Sequence, residues 1–150
     1  MDGSTLQKVY LSSPGILSCA GKNIHELWEA VCSADNSFFK ETNTSNGKEF
    51  IAGRIDESLL PETDSRLDMK IIRMEAQALL QIEKFILQAK QKYKNERIAV
   101  CVGSCDNGSE LSLKGHKVFF ETGTFPSAYT LENQCADYVA TFISEKYGLE

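Results

Sequence analysis

The 150-residue chain has no apolar run approaching the roughly 18 residues that a membrane-spanning helix requires, and it is read as making no use of a membrane. A basic leader before an apolar stretch is also missing from "MDGSTLQKVYLSSPGILSC", so the sequence predicts a cytoplasmic protein. Positive charge is short as well: 16 Lys and Arg stand against 21 Asp and Glu, a formal charge of -5. That balance lacks the field needed to neutralise phosphates along a nucleic acid, and no nucleic-acid partner is expected. Histidine is limited to His25 and His116, and the five cysteines (Cys19, Cys32, Cys101, Cys105, Cys135) include no Cys-x-x-Cys pair. Metal-ligand spacing is therefore missing, and reduced, mostly buried thiols are expected. Two Asn-x-Ser sequons, at Asn43 and Asn107, carry no weight without secretion. There are no internal repeats.

What is there suits one ordinary core: 42% of residues are apolar and 25% charged, the composition of a single globular domain over residues 1–150. "KVYL" reads as a strand over residues 8–11, broken by Ser-Ser-Pro-Gly and continued briefly to residue 20. Ile24, Leu27 or Trp28, and Val31 then recur at helical spacing behind Asn23, a good N-cap. Residues 35–48 are rich in Asn, Ser and Thr and read as a surface loop, whereas "EFIAGRI" reads as a short strand. Pro61 punctuates an acidic connector in which Asp64 or Ser65 can cap a helix.

From residue 66 to 93 the pattern predicts one long helix, with a stripe of Ile71, Met74, Ala78, Ile82, Phe85 and Ala89 widened by Ile72, Leu79 and Ile86. Its basic end, "KQKYKNER", compensates the negative helix terminus or meets an acidic partner. "RIAVCVG" reads as a strand covered on both faces, "SEL" starts a helix, and a last helix spans residues 131–147. The order of elements predicts an α/β protein with a mixed sheet.

The turn "GSCDNG" after the third strand draws attention because Cys105 sits beside Asp106. Gly103 and Gly108 have P-loop spacing, but Ser109 and Glu110 follow where a phosphate-binding Lys belongs. A dinucleotide fingerprint fails because position 105 is cysteine. As a nucleophile Cys105 is poorly placed, since a neighbouring carboxylate disfavours the thiolate and nothing in the spacing brings His116 to it. His25 lies within the first helical pattern as a surface or edge residue.

Five segments, "VYLSSPGILSCAG", "ELWEAVCSAD", "IAGRI", "RIAVCVGSCDNG" and "FPSAYTLENQCADYVATFISEKYGL", in that order and covering nearly the whole chain, resemble the N-terminal part of a β-ketoacyl-acyl-carrier-protein synthase. The resemblance implies an incomplete N-terminal half of a thiolase-like fold, a mixed β-sheet with flanking helices. It implies a parent enzyme that is a homodimer, takes acyl groups from acyl-carrier protein, and uses no cofactor and no metal. In that family a cysteine accepts the acyl group, a malonyl thioester loses CO2, and the carbanion attacks the acyl-cysteine, with backbone amides holding the oxyanion.

The family's cysteine follows the segment matching "EKYGL", so none of the five cysteines here maps onto it and this chain is expected to carry no catalytic residue. Half a thiolase fold is also expected to leave apolar faces uncovered and to self-associate. The gate of the acyl tunnel falls on Asp106, flanked by Cys105 and Asn107, and Tyr129 and Thr130 match the segment near the dimer interface and the partner's pocket.

Two departures stand out. Chain-elongating members commonly have an apolar gate, and "LSSPG" replaces a Thr-Gly. The polar turn, with "RMEAQALLQI", is closer to the branch serving aryl-polyene or flexirubin-like pigments, whose turn reads Gly-Thr-Ser-Thr-Ser-Gly. The alternatives are a non-catalytic chain-length-determining partner of an active synthase and an unrelated small α/β binding module.

Overall fold

Five α-helices and one two-stranded antiparallel sheet make up the regular structure in the computed structural model, which describes residues 8–44, 46–64, 66–106 and 108–149. Asn23 caps α1 (Ile24–Ser33) as expected: its Oδ1 accepts from the amides of His25 and Glu26, both at 3.0 Å. Glu26 reaches back to the Lys22 amide at 2.9 Å, so the orphan donors of the first turn are met reciprocally. Ala34, in the left-handed region at φ 52°, ends the helix. No described helix is long and apolar enough to cross a membrane.

The Asn- and Thr-rich stretch is not all loop. Residues Phe39–Asn43 form β1, which pairs antiparallel with β2 (Glu49–Gly53) in a register running from Phe39 opposite Gly53 to Asn43 opposite Glu49. Asn46-Gly47 is the readable signal: Gly47 takes φ 80° and donates to the Thr44 carbonyl at 2.9 Å, closing a hairpin that polar strands do not advertise.

The long helix is two. α2 (Lys70–Leu80) and α3 (Glu83–Lys92) are separated at Gln81 and Ile82. The side chain of Gln81 explains the break, because its Nε2 donates to the carbonyls of Ile16 (2.7 Å) and Lys22 (2.8 Å) while its Oε1 accepts from the Ile16 amide (3.2 Å). One amide thus ties the otherwise irregular residues 16–22 to the joint between two helices, and Gly15 passes close enough to the Ala78 carbonyl to exclude a side chain.

Asp64 does not cap α2, which begins at Lys70 behind Met69; the other expected cap, Ser65, lies outside the described residues. Leu67 and Met69 are both buried at alternating positions, which holds residues 66–69 out of the helix. The orphan Lys70 amide is instead met by Glu110 Oε2 at 2.8 Å.

α4 (Ser109–Thr122) starts behind Gly108, whose φ of 69° favours glycine, and α5 (Tyr138–Tyr147) closes the chain. The expected last helix therefore begins later, after a 3-10 turn at Glu132–Gln134. The core is where α2 and α5 meet: Ile72, Ala76 and Leu79 cluster with Tyr138, Val139, Phe142 and Tyr147, together with Leu67 and Met69. The stripe that goes inside is thus the one through Ile72 and Leu79; Ile71, Ile82 and Ile86 pack at its edge.

Two expected strands are absent from the described structure. Residues 8–11 and 98–103 carry no ladder. Val9, Tyr10 and Leu11 remain more than four-fifths exposed, and with no neighbouring strand their backbone groups face water. The mixed sheet reduces to the β1–β2 hairpin among the described residues, within a chain that is α/β in content.

Replacing Gln81 with alanine is expected to destabilise the chain by about 1–3 kcal/mol, the usual cost of stranding partly buried polar groups. Hydrogen exchange should show the Ile16 amide accelerated well beyond amides of α4; unchanged protection at Ile16 would refute the anchoring role.

Candidate functional site

The turn before α4 is organised by one carboxylate. Asp106 Oδ1 accepts from the Ser109 amide at 3.0 Å, meeting the first orphan donor of α4, and Oδ2 accepts from the Tyr138 hydroxyl at 2.9 Å. The Asp106 amide in turn donates to Ser104 Oγ at 3.1 Å. A negative group at a helix N-terminus is favoured by the helix dipole, and here it also receives a phenol from 32 residues away. Tyr138 is 1% exposed, and burial first, then Asp106, pushes its phenol well above the ordinary range, so it stays a donor.

Glu75, one turn from Ile72 and Leu79 on α2, is treated in the opposite way. Its Oε2 is buried without a hydrogen-bond partner among the described residues, and burial raises its carboxyl to about 7. Its field also acts on Tyr138. The acid therefore keeps its proton in the fold over a range where the unfolded chain has released it.

Glu110, on the first turn of α4, accepts from Lys114 Nζ at 2.7 Å and from the Lys70 amide, and these hold its carboxyl below the usual range. The N-termini of α2 and α4 are thus both closed by carboxylates from the "SCDNGSE" stretch, Asp106 and Glu110.

A second cluster lies further along α4. Tyr129 lies on Gly115, where any side chain would collide with its ring, and stacks on Phe125 at 4.4 Å between ring centroids. Phe125 stacks in turn on Phe119 at 4.5 Å, and His116 meets Phe125 and Tyr129 edge-on. The Tyr129 hydroxyl donates to Gln134 Oε1 at 3.1 Å, and Gln134 Nε2 reaches the carbonyl of the exposed Thr130 at 3.4 Å.

The expected site residues therefore divide. Asp106 joins Tyr138 at the start of α4, whereas Tyr129 joins the His116 stack midway along it, and the exposed Thr130 is linked to that group only through Gln134. Cys105 is exposed, and Asn107 lies outside the described residues. His116 Nδ1 is 2.8 Å from the Ser112 carbonyl, which makes that nitrogen the donor and turns the ring toward the aromatic stack. It forms no hydrogen bond with Cys105 among the described residues.

The expectation of mostly buried thiols is corrected: Cys19 is half-buried, and Cys32, Cys101, Cys105 and Cys135 are exposed, because the segments carrying them lie off the α2–α5 core. No three His, Cys, Asp or Glu side chains among the described residues stand close enough to hold a metal ion.

Sequence reasoning missed Tyr138 as a polar partner and Glu75 altogether. In the sequence Tyr138 stands among the apolar residues of the last predicted helix, and the readable signal was that a buried tyrosine must still place its hydroxyl. No family model, curated protein or solved structure gives a significant match to the chain.

Chemically, the Asp106 turn can present backbone and side-chain groups at a fixed position, but its carboxylate is saturated by Ser109 and Tyr138 and is not a free base. Tyr138→Phe is expected to cost about 1–3 kcal/mol and to raise amide exchange at Ser109. Glu75 gives a pH test. Its folded value lies above its ordinary 4.5, so the fold binds the proton more tightly and stability falls as pH rises from 4.5 toward about 7. Glu75→Met should remove that slope and leave the variant more stable than wild type by about 1–3 kcal/mol above neutrality, read from denaturant melts across pH.

Proposed function

We propose that these 150 residues are the N-terminal part of a 3-oxoacyl-acyl-carrier-protein synthase, an acyltransferase that condenses an acyl thioester with malonyl-carrier protein by decarboxylative Claisen condensation. The observation that carries this reading is the arrangement of two of the resembling segments about one helix. α4 begins at the Asp106 turn, the segment that in the family gates the acyl tunnel. Midway along, its Gly115 receives Tyr129 from "FPSAYT", the segment that in the family borders the partner's pocket.

On this reading the residues here contribute tunnel wall and subunit contact, and the nucleophilic cysteine and its two assisting side chains lie outside residues 1–150. The thiolase-like half fold, the carrier-protein partner and the parental homodimer belong to the same proposal. The polar turn favours the pigment-type branch, since the hydrogen bonds of Asp106 to Ser109 and Tyr138 make a charged gate structurally necessary in this chain. The large exposed side chains, among them Leu113, Phe120 and Leu131, supply the surface through which the isolated chain would self-associate.

Incubation with an acyl-carrier thioester, followed by peptide mass spectrometry, tests the reading. None of Cys19, Cys32, Cys101, Cys105 or Cys135 is expected to become acylated, whereas the parent polypeptide should acquire one acyl group on a cysteine beyond them. Stoichiometric, saturable acylation of any of the five would overturn it, and a parent that takes no acyl group at all would select the chain-length partner instead. Light scattering on the eluting isolated chain should give a mass above 16.7 kDa; a clean monomer binding little apolar dye would favour an independent binding module.

A further inference from the structure

Beside the β1–β2 hairpin lies a hollow of about 560 Å³ walled by Phe38 and Lys40, by Arg54 to Glu57, and by Lys70 at the start of α2, with Cys19 and Ser37 at its edge. We propose that this hollow binds a small phosphate monoester carrying an apolar group.

The charges on its wall are unequally engaged. Glu57 is held by Lys70 Nζ at 2.7 Å, and Asp56 accepts from the Ser58 amide at 2.9 Å. Both carboxyls lie below their usual range, Asp56 through Ser58 first and Glu57 through Lys70 first, so both remain ionised and occupied at neutral pH. The side chains of Lys40 and Arg54 make no hydrogen bond and have no carboxylate within 4.0 Å among the described residues. Arg54 reaches Glu57 only through space, and Lys22 adds a further positive field at Asp56.

In a chain of net charge -5, two uncommitted cations facing one concavity are not background. The wall itself carries Lys40, Arg54 and Lys70 against Asp56 and Glu57, with Lys70 matched to Glu57, and the acids elsewhere in the chain are screened over about 8 Å at physiological ionic strength, which leaves the hollow net positive. A guanidinium fork with an ammonium beside it matches the tetrahedral oxygens of a phosphate better than a single carboxylate. Phe38 and Ile55 give the rest of the wall an apolar face, which suits the substituent of an ester rather than free phosphate. Anchorage comes from the fold itself: Lys40 and Arg54 sit on or beside paired strands, with Lys40 opposite Ala52, and Gly53 leaves room for the Cys19 sulfur behind them.

Cys19 makes the test site-resolved, because it lines the hollow whereas Cys101 does not. Phenyl phosphate is the probe, N-ethylmaleimide the label, and peptide mass spectrometry the readout on the intact chain. Alkylation of Cys19 should slow about tenfold once phenyl phosphate is at ten times its dissociation constant, while Cys101 and Cys135 react at unchanged rates. Sodium chloride at matched ionic strength should give no such protection. Lys40→Gln and Arg54→Gln, both exposed, should keep the fold and each weaken the protection, and the double variant should abolish it. Protection equal to that from sodium chloride, slowing at all cysteines alike, or protection undiminished in the double variant would each overturn the proposal.

Discussion

The inward face of α2, carrying Ile72, Ala76 and Leu79, is the surface to which the rest of the chain is referred, because the buried side chains of α5 and the 66–69 segment all meet there. Its consequences are more electrostatic than hydrophobic. Once α5 lies on α2, the Tyr138 ring is out of water and its hydroxyl must find an acceptor inside the fold. It finds Asp106, at 2.9 Å, which ties the turn before α4 to the core. α4 then returns the tie, for Glu110 on its first turn closes the bare start of α2. Both N-termini are closed by carboxylates of one stretch: Asp106 acts locally on α4, while the Glu110 cap on α2 exists only where the fold brings the start of α4 to the start of α2.

The α2–α5 packing also explains why two acids that both act on Tyr138 behave so differently. Asp106 comes from a turn, where backbone amides are unclaimed and a helix N-terminus supplies positive potential. Glu75 comes from mid-helix, where every backbone amide is already spent, so burial offers it no donor. Geometry rather than residue type decides which carboxyl finds donors and which, finding none, is pushed to about 7. Asp106 reads as an odd, polar residue in the sequence only because its partners, Ser109 and Tyr138, are one local and one remote.

What was legible in the sequence follows the range of the interactions concerned. α1 was legible to its cap because Asn23 and Glu26 act within a single turn, and β2 because Phe50 and Ile51 mark a short apolar stretch between polar neighbours. The division of α2 from α3 was not, since the helical period runs unbroken through Gln81 and the competing contacts are 59 to 65 residues away. Choosing between the two stripes of α2 likewise needed knowledge of which face α5 covers. β1 was missed through neglect of Asn46-Gly47, a local signal that was available. Residues 98–103 have the composition of a doubly covered strand, yet composition states only what a segment tolerates; a neighbouring backbone has to be present for it to become one.

The exposed apolar segments therefore bear directly on function. Val9, Tyr10 and Leu11 and the 98–103 run have strand composition without a strand's partners, and α4 carries Leu113 and Phe120 a heptad apart toward solvent. A chain that spends its apolar residues this way keeps a small core on α2 and α5 and leaves pairing capacity over. The leftover capacity lies at residues 8–11 and 98–103 and on the solvent side of α4. Whatever covers these surfaces, a second copy of the chain included, has to supply both a strand edge to pair with and an apolar layer to pack against.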